Sequence, residues 1–326
     1  MKLDNFIFTL VNLGLYFRHF GLMMRTSRHT GYFPNIANPQ TYVERMLWRK
    51  TIDHNPQFIT FSDKLATKAY LREHCPELAV PPTLWTGRKT DDIPDELLRG
   101  DVFVKANHGC QFNHHVRPGP CDRAALRERT RKWLRRVYGH QYGEWGYHKV
   151  KPVLFVEAAI GDAQRDLIEF NVRAGNGRAI LGSVMGKCKM AGQWAFYLDP
   201  AGNPVVGMHD PEGCPVPPLP PGFNALEPYL QAVGFAEKLS VGVDYARFDF
   251  MWNGRQLFGG EITVYPAAGM TDPSNASSTT ATLNGWDLLQ SHFLTVKQTG
   301  WKGVYAEALR RRLKNVQVVC TKLKAA

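Results

Sequence analysis

The 326-residue sequence predicts an α+β fold, on three observations. Apolar residues recur at helical spacing through the first 74 residues, short β-rich segments follow from Val102 onward, and two Asn-Gly pairs each separate two such segments. Asn-Gly between apolar runs is the strongest local hairpin signal, so antiparallel pairing is expected at Asn176-Gly177 and Asn253-Gly254. Regular alternation of strand and helix is lacking, which argues against a doubly wound parallel sheet.

Taken in order, Leu3, Phe6, Ile7, Leu10, Leu13, Phe17, Phe20 and Met24 give an amphipathic helix over residues 3–24. Asn5, Asn12, Arg18 and His19 interrupt it, so no run of about 18 apolar residues exists and neither a signal peptide nor a membrane span is expected. Two readings of this helix stay open: a core or lid helix, and an interfacial helix in peripheral contact with a membrane. A loop over 33–39 leads to a helix over Thr41–Arg49, opened by a capping box of Thr41 and Glu44. Ser62 is expected to cap the next helix, which carries Asp63 in its first turn and runs to His74 before Pro76, Pro81 and Pro82 end it. The β-rich segments are Val102–Lys105, Val153–Ala158, Leu167–Val172, Ala179–Val184, Arg247–Trp252 and Leu257–Thr263. Helical stretches fall at 122–138 and 225–240, and proline-dense residues 211–221 read as a surface connection.

A net charge of +11 favours anionic partners, with cations gathered at Arg127–Arg136 and Arg310–Lys314. These are either solvated helix faces or a surface for an acidic substrate. No nucleic-acid-binding motif is apparent, which argues against a nucleic-acid partner. Six cysteines without a CxxC pair exclude a zinc ribbon and a dense disulfide framework, and reduced thiols point to the cytoplasm.

Three groups of residues carry candidate chemistry. Asp249 and Glu261 stand on the two arms of one hairpin in apolar strands, where a carboxylate is costly unless it is paired or binds a metal. Together they suit magnesium bridging nucleotide phosphates. Arg247, two residues from Asp249, shares its face and is suited to a phosphate or oxyanion, or to an internal salt bridge with Asp249. Lys105 ends an apolar strand and opens into Ala106-Asn107-His108-Gly109, an arrangement that suits a phosphate but equally an exposed strand-end lysine. Glu157 closes another apolar strand and suits an adenine amine and ribose hydroxyls, or simply faces water from an edge strand.

In their order along the chain these stretches resemble the ATP-grasp superfamily, and within it the TupA-like branch linked to teichuronopeptide and other surface-polysaccharide biosynthesis. The residues that carry the resemblance are Asn38-Pro39-Gln40-Thr41-Tyr42 with Arg45, Trp48 and Lys50; Asp63-Lys64; Phe103 to Gly109; Trp133, Tyr138, Glu144-Trp145 and Tyr147; Lys151-Pro152 with Glu157; Arg247-Phe248-Asp249; and Phe258 to Thr263. The resemblance implies ATP and Mg2+ as cofactors, with Lys105, Asn107, His108 and Gly109 at the phosphates and Glu157 at the adenine hinge. It implies Asp249, Glu261 and Thr263 at the metal, and Arg247 as the catalytic residue steadying an acyl-phosphate. Ile168 takes the place of a basic residue of the family, and Lys187 or Lys189 is the cation expected to substitute.

The organisation implied is an N-terminal helical region (1–60), a small subdomain (61–156), a large subdomain with the metal hairpin (157–290) and a basic helical tail (291–326). The activity implied is ligation of an amino acid to a carboxylate of an acidic glycan or its precursor, in the cytoplasm or at the inner face of the membrane. A glycan kinase on the same scaffold and a non-catalytic anionic-glycan-binding protein are the alternatives.

Overall fold

The computed structural model describes residues 2–161, 167–186, 194–205, 223–270 and 276–325, of which 276–279 and 316–325 are described by backbone alone. Two antiparallel sheets organise it. Strands β1 (Thr83–Gly87), β2 (Val102–Ala106), β3 (Asn113–Val116) and β4 (Leu154–Ala158) form one, in the order β1-β4-β2-β3. Strands β5 (Ile168–Gly175), β6 (Arg178–Gly186), β7 (Trp194–Leu198), β8 (Ala246–Trp252) and β9 (Leu257–Thr263) form the other, in the order β7-β6-β5-β8-β9. The α+β expectation holds, and both Asn-Gly pairs turn hairpins, β5-β6 and β8-β9. Asn176 and Gly177 both take positive φ, the geometry that matches the twist of the strands they join.

Ten helices accompany the sheets among the described residues: α1 (Lys2–Arg18), α2 (Phe20–Thr30), α3 (Tyr42–Thr51), α4 (Gln57–Ser62), α5 (Lys64–His74), α6 (Arg123–Arg135), α7 (Leu226–Leu239), α8 (Ala276–Gly285), the single turn α9 (His292–Thr295) and α10 (Gly300–Ala325). Helix α7 lays Tyr229, Ala232, Val233 and Ala236 on the five-stranded sheet against Phe170 and Val184. Each large apolar side chain buried there contributes about 1.5–3 kcal/mol. Helix α6 covers the four-stranded sheet through Leu126, packed with Val102, Val104 and Val116.

Four expectations are corrected. The N-terminal segment is two helices meeting at 101°, because the polar pair Arg18-His19 breaks the apolar run. Asp63, not Ser62, caps α5: its carboxylate accepts from the Leu65 amide (2.9 Å), while Ser62 ends α4 and bonds back to the Phe58 carbonyl. The basic C-terminal tail expected over 291–326 is helical, but its described part packs into the body of the fold. Tyr305 and Leu309 of α10 share one core with Phe8 of α1 and with Met46 and Trp48 of α3. Finally, a division between 156 and 157 falls inside β4, which belongs wholly to the first sheet. The proline-dense stretch 211–221 lies outside the described residues.

The stretch Asn38–Lys50 builds scaffold. Glu44 collects the backbone amides of Asn35, Gln40 and Thr41 (2.7–3.1 Å) and completes the capping box, and Trp48 donates to the Tyr305 hydroxyl at 2.8 Å.

Candidate active site between the two sheets

The hairpin β8-β9 is shaped by its glycines. Register shifts by one residue between Phe248 and Phe250, so Gly260 and Glu261 together lie opposite Asp249 as a β-bulge. A side chain at Gly260 would put Cβ 2.8 Å from the Asp249 carbonyl oxygen, and one at Gly259 would meet Leu78 of the segment after α5 at 2.8 Å. The paired glycines therefore let α5 approach β9 closely and bring Glu261 toward Lys64 at the start of that helix.

On β8, Arg247 grips Asp249 through Nε and Nη2, at 2.6 and 2.7 Å. The Thr263 hydroxyl lies 3.4 Å from the same carboxylate, so Arg247, Asp249 and Thr263 form one contiguous group. The salt bridge that the residues alone left open is thus formed. Burial raises the Asp249 pKa from its ordinary value against the pull of Arg247. Asp249 favours Arg247 in its charged state, although burial opposes that charge.

Glu261 differs. Its side chain is 51% exposed and ion-paired with Lys64 at 3.1 Å. Desolvation pushes its pKa up, but Lys64, Lys105 and Arg247 outweigh that and hold it below its ordinary value. An accessible, firmly ionised carboxylate is the donor a hard cation requires. Glu261, on the same hairpin as Asp249 and Thr263, has the chemistry to help hold magnesium. Among the described residues no cluster of three His, Cys, Asp or Glu stands ready as an all-protein cage.

The four-stranded sheet supplies the other wall. Lys64 also donates to the Gly109 carbonyl oxygen at 2.6 Å, tying the loop after Lys105 to the β8-β9 hairpin. Gly109 sits at φ +85°, and a Cβ there would lie 2.7 Å from the Tyr138 ring, so no other residue fits. The side chains of Asn107 and His108 face inward. The Asn107 amide clamps Val153 (2.8 Å) and Lys151 (3.1 Å), and the buried His108 ring lies 3.3 Å from the Arg136 carbonyl oxygen. Both position the loop.

Glu157 is on an inner strand, not an edge, and only 5% exposed. Its two carboxylate oxygens bind Lys105 and Lys68, and Lys68 also donates to the Pro81 carbonyl oxygen at 2.7 Å. Lys68 and Lys64 are the site residues that sequence reasoning did not assign. They lie four apart on α5 and so share one face. Four cations (Lys64, Lys68, Lys105, Arg247) thus meet three carboxylates (Glu157, Asp249, Glu261), an excess of positive charge suited to a polyanion. Lys187 and Lys189 lie outside the described residues.

The Glu157→Gln variant is expected to lose about 3 kcal/mol of stability, because Lys68, 7% exposed, would keep its charge without its counter-ion. Burial already lowers the Lys68 pKa and Glu157 opposes that, so the deficit should shrink as alkaline pH neutralises the lysine. Urea unfolding at two pH values measures both effects.

No family model matches the sequence, and no curated protein matches it. Solved structures do. An L-amino acid ligase from Bacillus licheniformis is similar over 64% of this chain and 44% of its own, at 16% identity and a TM-score of 0.39. The D-alanine–D-alanine ligase of Bacillus anthracis complexed with ATP is similar over 78% of this chain and 66% of its own (16%, TM-score 0.38). The ATP-grasp ligase PsnB, complexed with a precursor variant, Mg and ADP, is similar over 82% of this chain and 66% of its own (15%, TM-score 0.37). The chain thus spans less than half the length of the first of these and just under two thirds of the others.

Proposed function

We propose that the charged cluster between the sheets is the active site of an ATP-grasp ligase that joins a carboxylate to an amine through an acyl-phosphate. The observation that carries this reading is the single charged cluster in which Lys64 links the Gly109 loop of one sheet to Glu261 of the other. Lys105 and Lys64 meet the phosphate oxygens of ATP, and Arg247 neutralises charge as the substrate carboxylate attacks the γ-phosphorus and ADP departs. The amine then attacks the acyl carbon, phosphate leaves, and the nitrogen loses its extra proton. Magnesium, held by Glu261, Asp249 and Thr263, would supply neutralisation of the triphosphate. Catalysis is then positioning and fixed charge.

For the acceptor we infer a uronic-acid carboxylate of a surface polysaccharide or its precursor, and for the amine an amino acid. A cavity of about 750 Å³ beside Gly109 supports the acceptor reading, because Lys132, Arg136 and His140 line it together with Tyr138. Cations over an aromatic wall suit an acidic sugar. The test is incubation with Mg-ATP, a panel of amino acids and uronic-acid acceptors, following ADP release and product mass together. ADP with an amide product is expected, whereas a phosphorylated sugar overturns ligation in favour of a kinase. The bidentate grip of Arg247 on Asp249 favours one rival, a non-catalytic glycan-binding protein, and calorimetry showing no heat with Mg-ATP would decide for it.

A further inference from the structure

Helix α1 has two faces with different fates. Phe8 and Leu15 are buried, Phe8 packing edge-on against Tyr305 of α10 at 6.2 Å, while Leu3, Phe6, Leu10, Leu13 and Phe17 remain 52–92% exposed. At 100° per residue these five fall within a wedge of about 80°, and no charged residue lies inside it. A contiguous apolar strip of this kind on a folded surface marks an interaction site.

We propose that α1 lies in the interface of an anionic lipid bilayer, its exposed wedge among the acyl chains and its buried face still part of the protein. Charge on the flanking segments selects lipid over another protein surface. The first 43 residues hold Lys2, Arg18, Arg25 and Arg28 but one acid, Asp4, and Arg311 of α10 binds it at 2.6 Å. Phe20, 63% exposed, opens α2, whose Arg25, Arg28 and His29 line a cup of about 430 Å³ with Gly21, of a size and charge to take a lipid phosphate. Helix α10 runs antiparallel to α1, as the Asp4-Arg311 and Phe8-Tyr305 contacts show, and this brings its first turns, with Trp301 (58% exposed) and Val304 (54%), alongside the C-terminal half of α1. Tryptophan near cations is the usual composition at the headgroup level. Spanning is not part of the proposal: no single helix among the described residues is long and apolar enough to cross a membrane, and half of α1 is committed to α10.

The experiment is flotation of the full chain with vesicles of phosphatidylcholine alone and of phosphatidylcholine with phosphatidylglycerol. Binding is expected on the anionic vesicles, weakened by salt. The triple variant Phe6→Ser, Leu10→Ser, Phe17→Ser should lose about tenfold or more in partitioning with its circular dichroism unchanged. On the unaltered chain a photoreactive phospholipid should label peptides within residues 2–30, with or without those around Trp301 and Val304. No binding to anionic vesicles, labelling elsewhere, or a dimer in sedimentation that the triple variant dissolves would each overturn the proposal. None of these readouts involves ATP, so the ligase reading stands or falls separately.

Discussion

ADP formation by the Glu261→Gln variant is expected to fall at least about a hundredfold, the scale on which removal of one preorganised electrostatic partner is felt. Stability should stay within about 0.5 kcal/mol, because the side chain is half exposed and the amide keeps its shape. The contrast with Asp249 makes the variant informative. Both residues are hairpin carboxylates, but Asp249 is held by Arg247 through both oxygens, whereas Glu261 is accessible and kept ionised by surrounding cations. On the function proposed above, a cation arriving with nucleotide meets Glu261 first. Coupled-enzyme detection of ADP alongside thermal unfolding checks both halves, and an unchanged rate would remove Glu261 from the metal.

How far the sequence disclosed this site depends on where each contact partner lies. Asp249 and Glu261 were legible because charge inside an apolar strand is anomalous by itself, and Asn253-Gly254 fixed their pairing. Lys64 and Lys68 were not, since a lysine in the first turns of a helix looks solvated until the fold brings up Glu261, 197 positions away, and Glu157, 89 away. The structural contacts of Asn107 and His108 were equally hidden, because polar residues in a loop after a lysine carry no sign of the partners Lys151, Val153 and Arg136 that their side chains meet. The unread strands, Thr83–Gly87, Asn113–Val116 and Trp194–Leu198, are all sheet edges, and the fourth edge, Leu257–Thr263, was legible because Asn253-Gly254 ties it to Arg247–Trp252.

Arg49→Met is expected to lower stability by about 3–5 kcal/mol. Arg49 and Asp244 are both 0% exposed and paired at 2.7 Å. Arg49 also donates to the Val264 carbonyl oxygen at 3.0 Å, one residue beyond β9, and its guanidinium lies 4.4 Å from the centre of the Trp286 ring. Methionine can fill the volume but takes the guanidinium away from the buried Asp244 carboxyl, which keeps the Trp286 indole N–H (2.6 Å) as a side-chain partner. Asp53 nearby adds to the penalty, since burial and Asp244 already push its pKa up to about 7 while Arg49 pulls it down. Because this pair pins α3 to the end of the β8-β9 hairpin, lost activity in Arg49→Met should track lost fold in urea unfolding. The double variant Arg49→Met, Asp244→Leu should recover most of the loss, as apolar replacements of buried ion pairs commonly do. Recovery of stability without recovery of ADP formation would mean that Arg49 sets the position of Glu261 as well as holding the fold.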